Sequence, residues 1–197
     1  PTCTIYKGVI NMMDYPKKQG MYSPEFEHDA CGIGFICSID GIKSHKIVDD
    51  AISVLENMMH RGASGADVDT GDGAGLLVQI PHKFFKRQCD ILGFDIPDEL
   101  DYGVASMFVH PYDDFREVQK EAFKKIVEDE GQIFLGYRTV PINQNTIGES
   151  AQKTMPFILQ AFIQRVDVEQ GLDFERKLYV IRKRAEKYIL PLGYAKG

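Results

Sequence analysis

Fourteen residues from Gly62 to Gly75 include five glycines, and that density excludes an ordinary helix or strand. Each glycine gives up more backbone freedom on ordering than any other residue. The stretch therefore separates two kinds of pattern. Before it, Ile47/Val48, Ala51/Ile52, Val54/Leu55 and Met58/Met59 recur at helical spacing and predict an amphipathic helix. Ser44 is its expected N-cap, His60 its approximate end and Gly62 its stop signal. After it, Leu76 to Ile80 reads as a strand, and Pro81 opens a short helix through Phe84 and Phe85.

The remaining elements follow from the same periodicities. Cys31-Gly-Ile-Gly-Phe-Ile-Cys37 is short, apolar and closed by Asp40-Gly41, the pattern of a buried strand. Tyr102 to Val109 and Gln132 to Val140 read as strands. Asp114-Phe-Arg-Glu117 has capping-box spacing, with Phe115, Val118, Ala122 and Ile126 continuing as a helix to Gly131. Phe157 to Gln164 alternates, with Gln160 and Gln164 on one face and Phe157, Leu159, Ala161 and Ile163 on the other. Phe174, Leu178, Ile181, Ala185 and Ile189 mark a final helix. Spacing alone gives a mixed helix and strand protein whose sheet order stays open. No internal repeat and no low-complexity linker appears.

Composition narrows the function classes. The 197 residues carry 23 Lys+Arg against 29 Asp+Glu, a formal charge of −6, with 44% apolar residues. A chain of this size buries roughly 70% of its unfolded surface and needs neither disulfide nor metal to fold. The acidic balance argues against a nucleic-acid partner, which requires a basic face. No apolar run approaches the ~20 residues of a membrane span, and Val9 to Met13, interrupted by Asn11, is too short for a signal peptide. Cys3, Cys31, Cys37 and Cys89 lack CxxC spacing. A soluble cytoplasmic protein is the expectation.

Residues 1–30 show no periodicity and are punctuated by Pro16, Gly20 and Pro24, so they read as a leader. Cys31 is the first residue of the organised chain and is followed by Gly32 and Gly34, which leave room for close approach. A cysteine in an apolar strand is ordinarily just a small buried hydrophobe. A cysteine that becomes N-terminal is different: its thiol is the nucleophile and its freed α-amine, with a pKa near ~8, is an adjacent base. That chemistry requires cleavage between Ala30 and Cys31, because an amide nitrogen is not a base. Cys37 and Cys89 lack the setting and read as inert thiols, and Cys3 as incidental.

His60-Arg61-Gly62 suits a helix C-terminus equally well as a functional turn. Gly71-Asp-Gly-Ala-Gly75 lacks the Lys-Ser/Thr of a P-loop and precedes a strand instead of opening a helix, so it is a tight turn and not a nucleotide cradle. His82 and His110 neighbour proline and read as surface or capping residues.

Taken together, Cys31-Gly-Ile-Gly-Phe-Ile, Met58-Met-His-Arg-Gly-Ala63, Gly65-Ala-Asp, Thr70-Gly-Asp-Gly-Ala-Gly75 and Gln79-Ile-Pro-His-Lys-Phe-Phe85 resemble the start of glutamate synthase large subunits. That part is a class II glutamine amidotransferase domain of the N-terminal nucleophile hydrolase superfamily. The resemblance is most specific over residues 28–85 and continues more loosely to about 190. It implies an α+β fold, a four-layer α/β/β/α sandwich incomplete over this length. It divides the chain into a propeptide, residues 1–30, and the first part of the amidotransferase domain, residues 31–197.

The resemblance implies that Cys31 attacks the side-chain amide of L-glutamine, forms a glutamyl thioester and releases ammonia, which passes to synthase domains of the same polypeptide that make glutamate from 2-oxoglutarate. Arg61 and Gly62 are implied site-lining residues, Arg61 as a buried organiser. No cofactor or metal is expected in this part, whereas FMN and an iron-sulfur cluster belong to the rest of such subunits, with a reductase subunit or ferredoxin as further partner. The oxyanion donors come from a His-Asn-Gly-Glu motif and substrate carboxylate recognition from a Ser-Arg-Phe segment. Neither string occurs here, and both are expected beyond Gly197. Such a piece is expected to be inactive alone. Two alternatives stand beside this reading: another class II amidotransferase, and a non-catalytic binding module with the same fold.

Overall fold

The structure is a computed structural model, and it describes residues 32–58, 62, 67, 69–71 and 73–193. The chain divides into two compact units, residues 1–63 and 64–197.

In the first unit, helix α1 spans His45–Asn57. Its N-terminus is where the sequence places it, with the Ser44 hydroxyl accepting from the Lys46 amide at 3.2 Å, a bond that satisfies one of the orphan donors of the first turn. The helix closes at Met58, earlier than the expected end at His60, which lies outside the described residues. Of the segment Cys31–Cys37, expected as a buried strand, residues 32–37 are described; they carry no strand pairing and are mostly exposed. A strand exists only where a neighbour accepts its backbone hydrogen bonds, and no described residue does so here.

The second unit is built on a three-stranded antiparallel sheet of order β1-β3-β2. Strand β1 spans Tyr102–Val109, β2 spans Ile133–Thr139 and β3 spans Phe157–Gln164. Both outer strands run antiparallel to β3, with Tyr102 opposite Gln164 on one side and Ile133 opposite Gln164 on the other. They are therefore parallel to each other, and the connection between them is a crossover carrying a helix, as parallel strands require. Around them come α2, His82–Leu92; α3, Asp113–Asp129; a short helix α4, Glu149–Thr154; and α5, Leu172–Gly193.

The period-two alternation of β3 divides the core in two. Ala161 and Ile163 join Phe123, Ile126 and Val127 of α3 and Ile181 and Ile189 of α5. Phe162, on the opposite face, joins Phe85 and Cys89 of α2, Tyr102 and Ile96. The Phe85 ring meets the Phe162 ring edge-on at 5.1 Å between centroids, a favoured aromatic geometry. The sequence-based faces of β3 are those observed, and the fold is α+β.

Several local expectations change. Helix α2 is longer than a turn through Phe85 and runs to Gly93, whose φ of 83° provides the left-handed C-cap. Residues 76–80 form no strand, and Leu77 is fully exposed. The capping box does not form: α3 begins at Asp113 with Tyr112 as N-cap and no side-chain cap bond, so Asp114 sits inside the first turn. There it complements the helix dipole instead of accepting from it as a cap. Phe115 and Val118 are exposed, so the buried stripe of α3 starts lower, at Gln119 and Phe123.

Two glycines set how closely the layers approach. A Cβ at Gly103 would stand 2.6 Å from Leu178 Cδ1 on α5, and one at Gly136 would stand 2.7 Å from the Phe94 ring. Helices α3 and α5 are tied by Glu130, which accepts from Lys177 Nζ at 3.1 Å and Arg184 Nη1 at 2.7 Å. Arg184 first and then Lys177 hold its carboxyl below the usual glutamate range.

Two outcomes follow. Gly136→Ala is expected to lower unfolding stability by about 1–3 kcal/mol, the usual cost of overpacking, in a urea titration followed by circular dichroism. Glu130→Gln is expected to lower the melting temperature near neutral pH. The wild-type carboxylate contributes fully above its unfolded value of about 4.5 and loses that contribution as pH falls through its depressed folded value. Thermal melts across an acid series should therefore show the deficit of the variant closing below the ordinary glutamate range.

Candidate functional site

Of the residues singled out by sequence, Ala30, Cys31 and Arg61 lie outside the described residues. Gly62 is described, exposed and in neither helix nor strand. What the structure does place is the chain on either side of them. In the first unit a Cβ at Gly32 would stand 2.7 Å from Met58 Sδ, and one at Gly34 would stand 2.5 Å from Val54 Cγ1. The alternate residues Ile33 and Phe35 are 90% and 89% exposed. The backbone after Cys31 thus runs flush against the last two turns of α1, glycine side inward. Gly32, the neighbour of Cys31, rests on Met58, three positions before Arg61. The room for close approach that the sequence assigns to these glycines is taken up by α1.

The glycine-rich loop is anchored in the second unit. Asp67 Oδ2 accepts from the Thr70 hydroxyl at 2.9 Å and from the Ser150 amide at 3.1 Å. The Gly148 amide donates to the Asp69 carbonyl at 2.8 Å. The Ser150 amide bond, with help from Thr70, holds the Asp67 carboxyl below the usual aspartate range. Its other oxygen, Oδ1, is buried and has no hydrogen-bond partner among the described residues. A Cβ at Gly148 would stand 2.2 Å from Thr70 Oγ1 and 2.4 Å from Asp67 Oδ2, so only glycine allows the loop to sit where it does. This group escapes sequence reasoning because Asp67 and Ser150 are 83 residues apart, and no local pattern announces α4.

His82 and His110 cap no helix, since α2 starts from Pro81 and α3 from Tyr112 without side-chain cap bonds. His82 opens α2, and its Nδ1 lies 3.1 Å from the Tyr102 hydroxyl. His110 Nδ1 accepts from the Tyr112 amide at 3.2 Å. A shallow depression on α2, lined by His82, Lys83, Lys86 and Arg87, gathers cations but no nucleophile, and Lys86 is already paired with Asp95 at 2.8 Å. Among the described residues no three His, Cys, Asp or Glu side chains converge. The described cysteines, exposed Cys37 and buried Cys89, are two separate thiols and do not make the donor set of an iron-sulfur cluster.

Comparison with known proteins gives a consistent result. The family described as class-II glutamine amidotransferases matches residues 31–196. The large chain of the NADPH glutamate synthase of Bacillus subtilis is 48% identical over 174 residues, covering 88% of this chain and 11% of that protein. The NADH glutamate synthase of Saccharomyces cerevisiae is 39% identical over 195 residues, 94% of this chain and 9% of its own length. Ferredoxin-dependent glutamate synthase 1 of Arabidopsis thaliana is 40% identical over 163 residues, 83% of this chain and 10% of its own. The chain spans about a tenth of the length of these relatives.

Thiol reactivity separates the two described cysteines. Burial pushes the Cys89 thiol up to about 11, which leaves little thiolate at neutral pH. Iodoacetamide at mildly alkaline pH is expected to alkylate Cys37 rapidly and Cys89 only under denaturing conditions, read by peptide mass mapping.

Proposed function

Because this chain belongs to the class II glutamine amidotransferases, we propose that it is the glutaminase part of a glutamate synthase large subunit, with Cys31 as the nucleophile that removal of residues 1–30 makes N-terminal. Two observations support the reading. The family match begins at residue 31, the residue that cleavage after Ala30 would expose. The carrying observation is geometric: Gly32, the residue that follows Cys31 in the sequence, rests on Met58 at the end of α1.

In this mechanism the freed α-amine of Cys31 takes the thiol proton, and the thiolate sulfur attacks the side-chain amide carbon of L-glutamine. Collapse of the tetrahedral species breaks the C–N bond, the ammonium returns its proton to the leaving nitrogen, and ammonia departs. A glutamyl thioester remains. Water, deprotonated by the same amine, then attacks the thioester carbonyl, releases glutamate and restores the thiol. Arg61 and Gly62 line the site, Arg61 by fixing its shape. The oxyanion donors come from a segment outside this chain.

The ammonia is used by synthase domains of the same polypeptide to convert 2-oxoglutarate to glutamate. FMN and an iron-sulfur cluster would be held by the rest of the subunit and not by this chain's residues, with a reductase subunit or ferredoxin as the further partner, and the whole would work in the cytoplasm. The fold is read as an incomplete four-layer α/β/β/α sandwich. Helices α3 and α5 cover one face of the sheet, while the other face is covered by α2 around Phe162 and leaves Phe108 exposed, room for a second sheet.

Peptide mapping of the full-length polypeptide from cells is expected to find Cys31 at the N-terminus, alkylated there by a glutamine-like diazoketone. Cys31→Ala should lose glutamine-dependent activity by at least about 1,000-fold, as removal of a covalent nucleophile does. A mature protein that keeps residues 1–30 with Cys31 unlabelled overturns the reading.

A further inference from the structure

A polar row crosses the sheet of the second unit at the point where its cover stops. Gln160 of β3 stands opposite Ser106 of β1 on one side and Arg138 of β2 on the other, so the three side chains share the face that carries Phe162. On that face Tyr102, packed with α2, is 2% exposed, Ser106 is exposed, and Phe108, beyond the row, is 68% exposed. Helix α2 thus shields one half of the face. Phe108 and half-buried Ile158, opposite each other in register, form an apolar surface in the open half.

Charge defines what fits there. Arg138 is the one charged side chain buried among the described residues, and it lies against no carboxylate of theirs. Its partners are two neutral amide oxygens, Gln160 Oε1 and Gln88 Oε1, and the Phe84 ring at 5.1 Å. By contrast Arg116, Arg165, Arg176, Arg182 and Arg184 each pair with an Asp or Glu, and Arg87 is exposed to water. A guanidinium cannot escape burial by losing its proton, and a buried charge ordinarily has an opposite charge beside it. Arg138 Nη2, Gln160 Nε2 and the Ser106 hydroxyl have no acceptor among the described residues. A row of donors around one full positive charge is complementary to a carboxylate. A small free anion would satisfy the row and leave Phe108 wet, whereas a polypeptide segment satisfies the row and covers the apolar surface as well.

We propose that an Asp or Glu side chain, on an otherwise apolar segment of the same polypeptide beyond residue 197, docks over the open half of the sheet. Its carboxylate is held by Arg138, Gln160 and Ser106, and its apolar neighbours cover Phe108. The inference takes from the glutaminase reading only the longer polypeptide, and it gives the row no part in the attack on glutamine.

The test uses hydroxyl-radical footprinting of the full-length polypeptide, read by peptide mass mapping. Phe108 is expected to be oxidised more slowly than Phe115, which inverts the order of their exposures in this structure, 68% and 43%. In Arg138→Gln, oxidation of Phe108 is expected to rise on the order of 10-fold, the factor carried by one lost charge-assisted hydrogen bond, with buried Phe123 still protected. Carbodiimide treatment of Arg138→Lys is expected to join position 138 to an Asp or Glu beyond residue 197. Phe108 oxidised as fast as Phe115 overturns the proposal, as does an unchanged Phe108 in Arg138→Gln. Joint exposure of Phe108 and Phe123 in that variant overturns it too, because lost folding then explains the change. A crosslink within residues 1–197 or to another chain, or none in a folded Arg138→Lys, has the same effect; if Arg138→Lys does not fold, the Arg138→Gln footprint decides. Diazoketone labelling of Cys31 in the wild-type digests keeps the two ideas apart. Labelled Cys31 with an open Phe108 sinks the docking alone, and unlabelled Cys31 with a covered Phe108 sinks the glutaminase reading alone.

Discussion

The architecture of the second unit depends on one strand whose centre is buried on both faces. Ala161, Phe162 and Ile163 are each almost wholly buried, and no edge strand could hide three such consecutive side chains. Strand β3 must therefore lie in the middle, hydrogen-bonded on both sides, with helices above and below. From that requirement come the insertion of β3 between β1 and β2, the crossover through α3, the packing of α3 on α5, and the placement of α2 against Phe162. The buried polar groups follow the same logic. Arg138 on β2, 9% exposed, places Nη1 2.9 Å from Gln160 Oε1 and Nε 3.2 Å from Gln88 Oε1, with its guanidinium over the Phe84 ring.

Much of this could be seen in the residues themselves. Strands β1 and β3 and helices α1 and α5 were marked by spacings that each element satisfies within itself, and the α1 cap at Ser44 is a local hydrogen bond. The failures share a physical cause. Residues 31–37 and 76–80 have the composition of strands, but a strand needs two segments, and composition describes only one of them. The Asp114 capping box matched its pattern in letters yet lost to a helix start one residue earlier. Helix α4 has only six residues, too few to hold its own shape in water, and its stability comes from a carboxylate 83 positions upstream.

The candidate site divides along the same line. Cys31 stood out by position and Arg61-Gly62 by resemblance, and both belong to short motifs readable in order. Asp67 was visible as a letter within Gly65-Ala-Asp, but nothing nearby declared its partner. Gly148 was invisible for a deeper reason. A glycine that exists to avoid a collision carries no pattern of its own, and its meaning appears only when the colliding atoms are seen.

The layer contacts carry a consequence for how this chain varies over time. Gly136 sits beneath the Phe94 ring and Gly103 beneath Leu178, so each pair shares one fixed volume. Enlarging the first member alone costs overpacking, and shrinking the second alone leaves a void. Both steps are unfavourable singly and mutually compensating together, which is the condition for strong non-additivity between neighbours. Across descendants of one ancestor, positions 94 and 136, and likewise 103 and 178, would trade bulk as couples, leaving correlated substitutions as a trace of the spacing between sheet and helix.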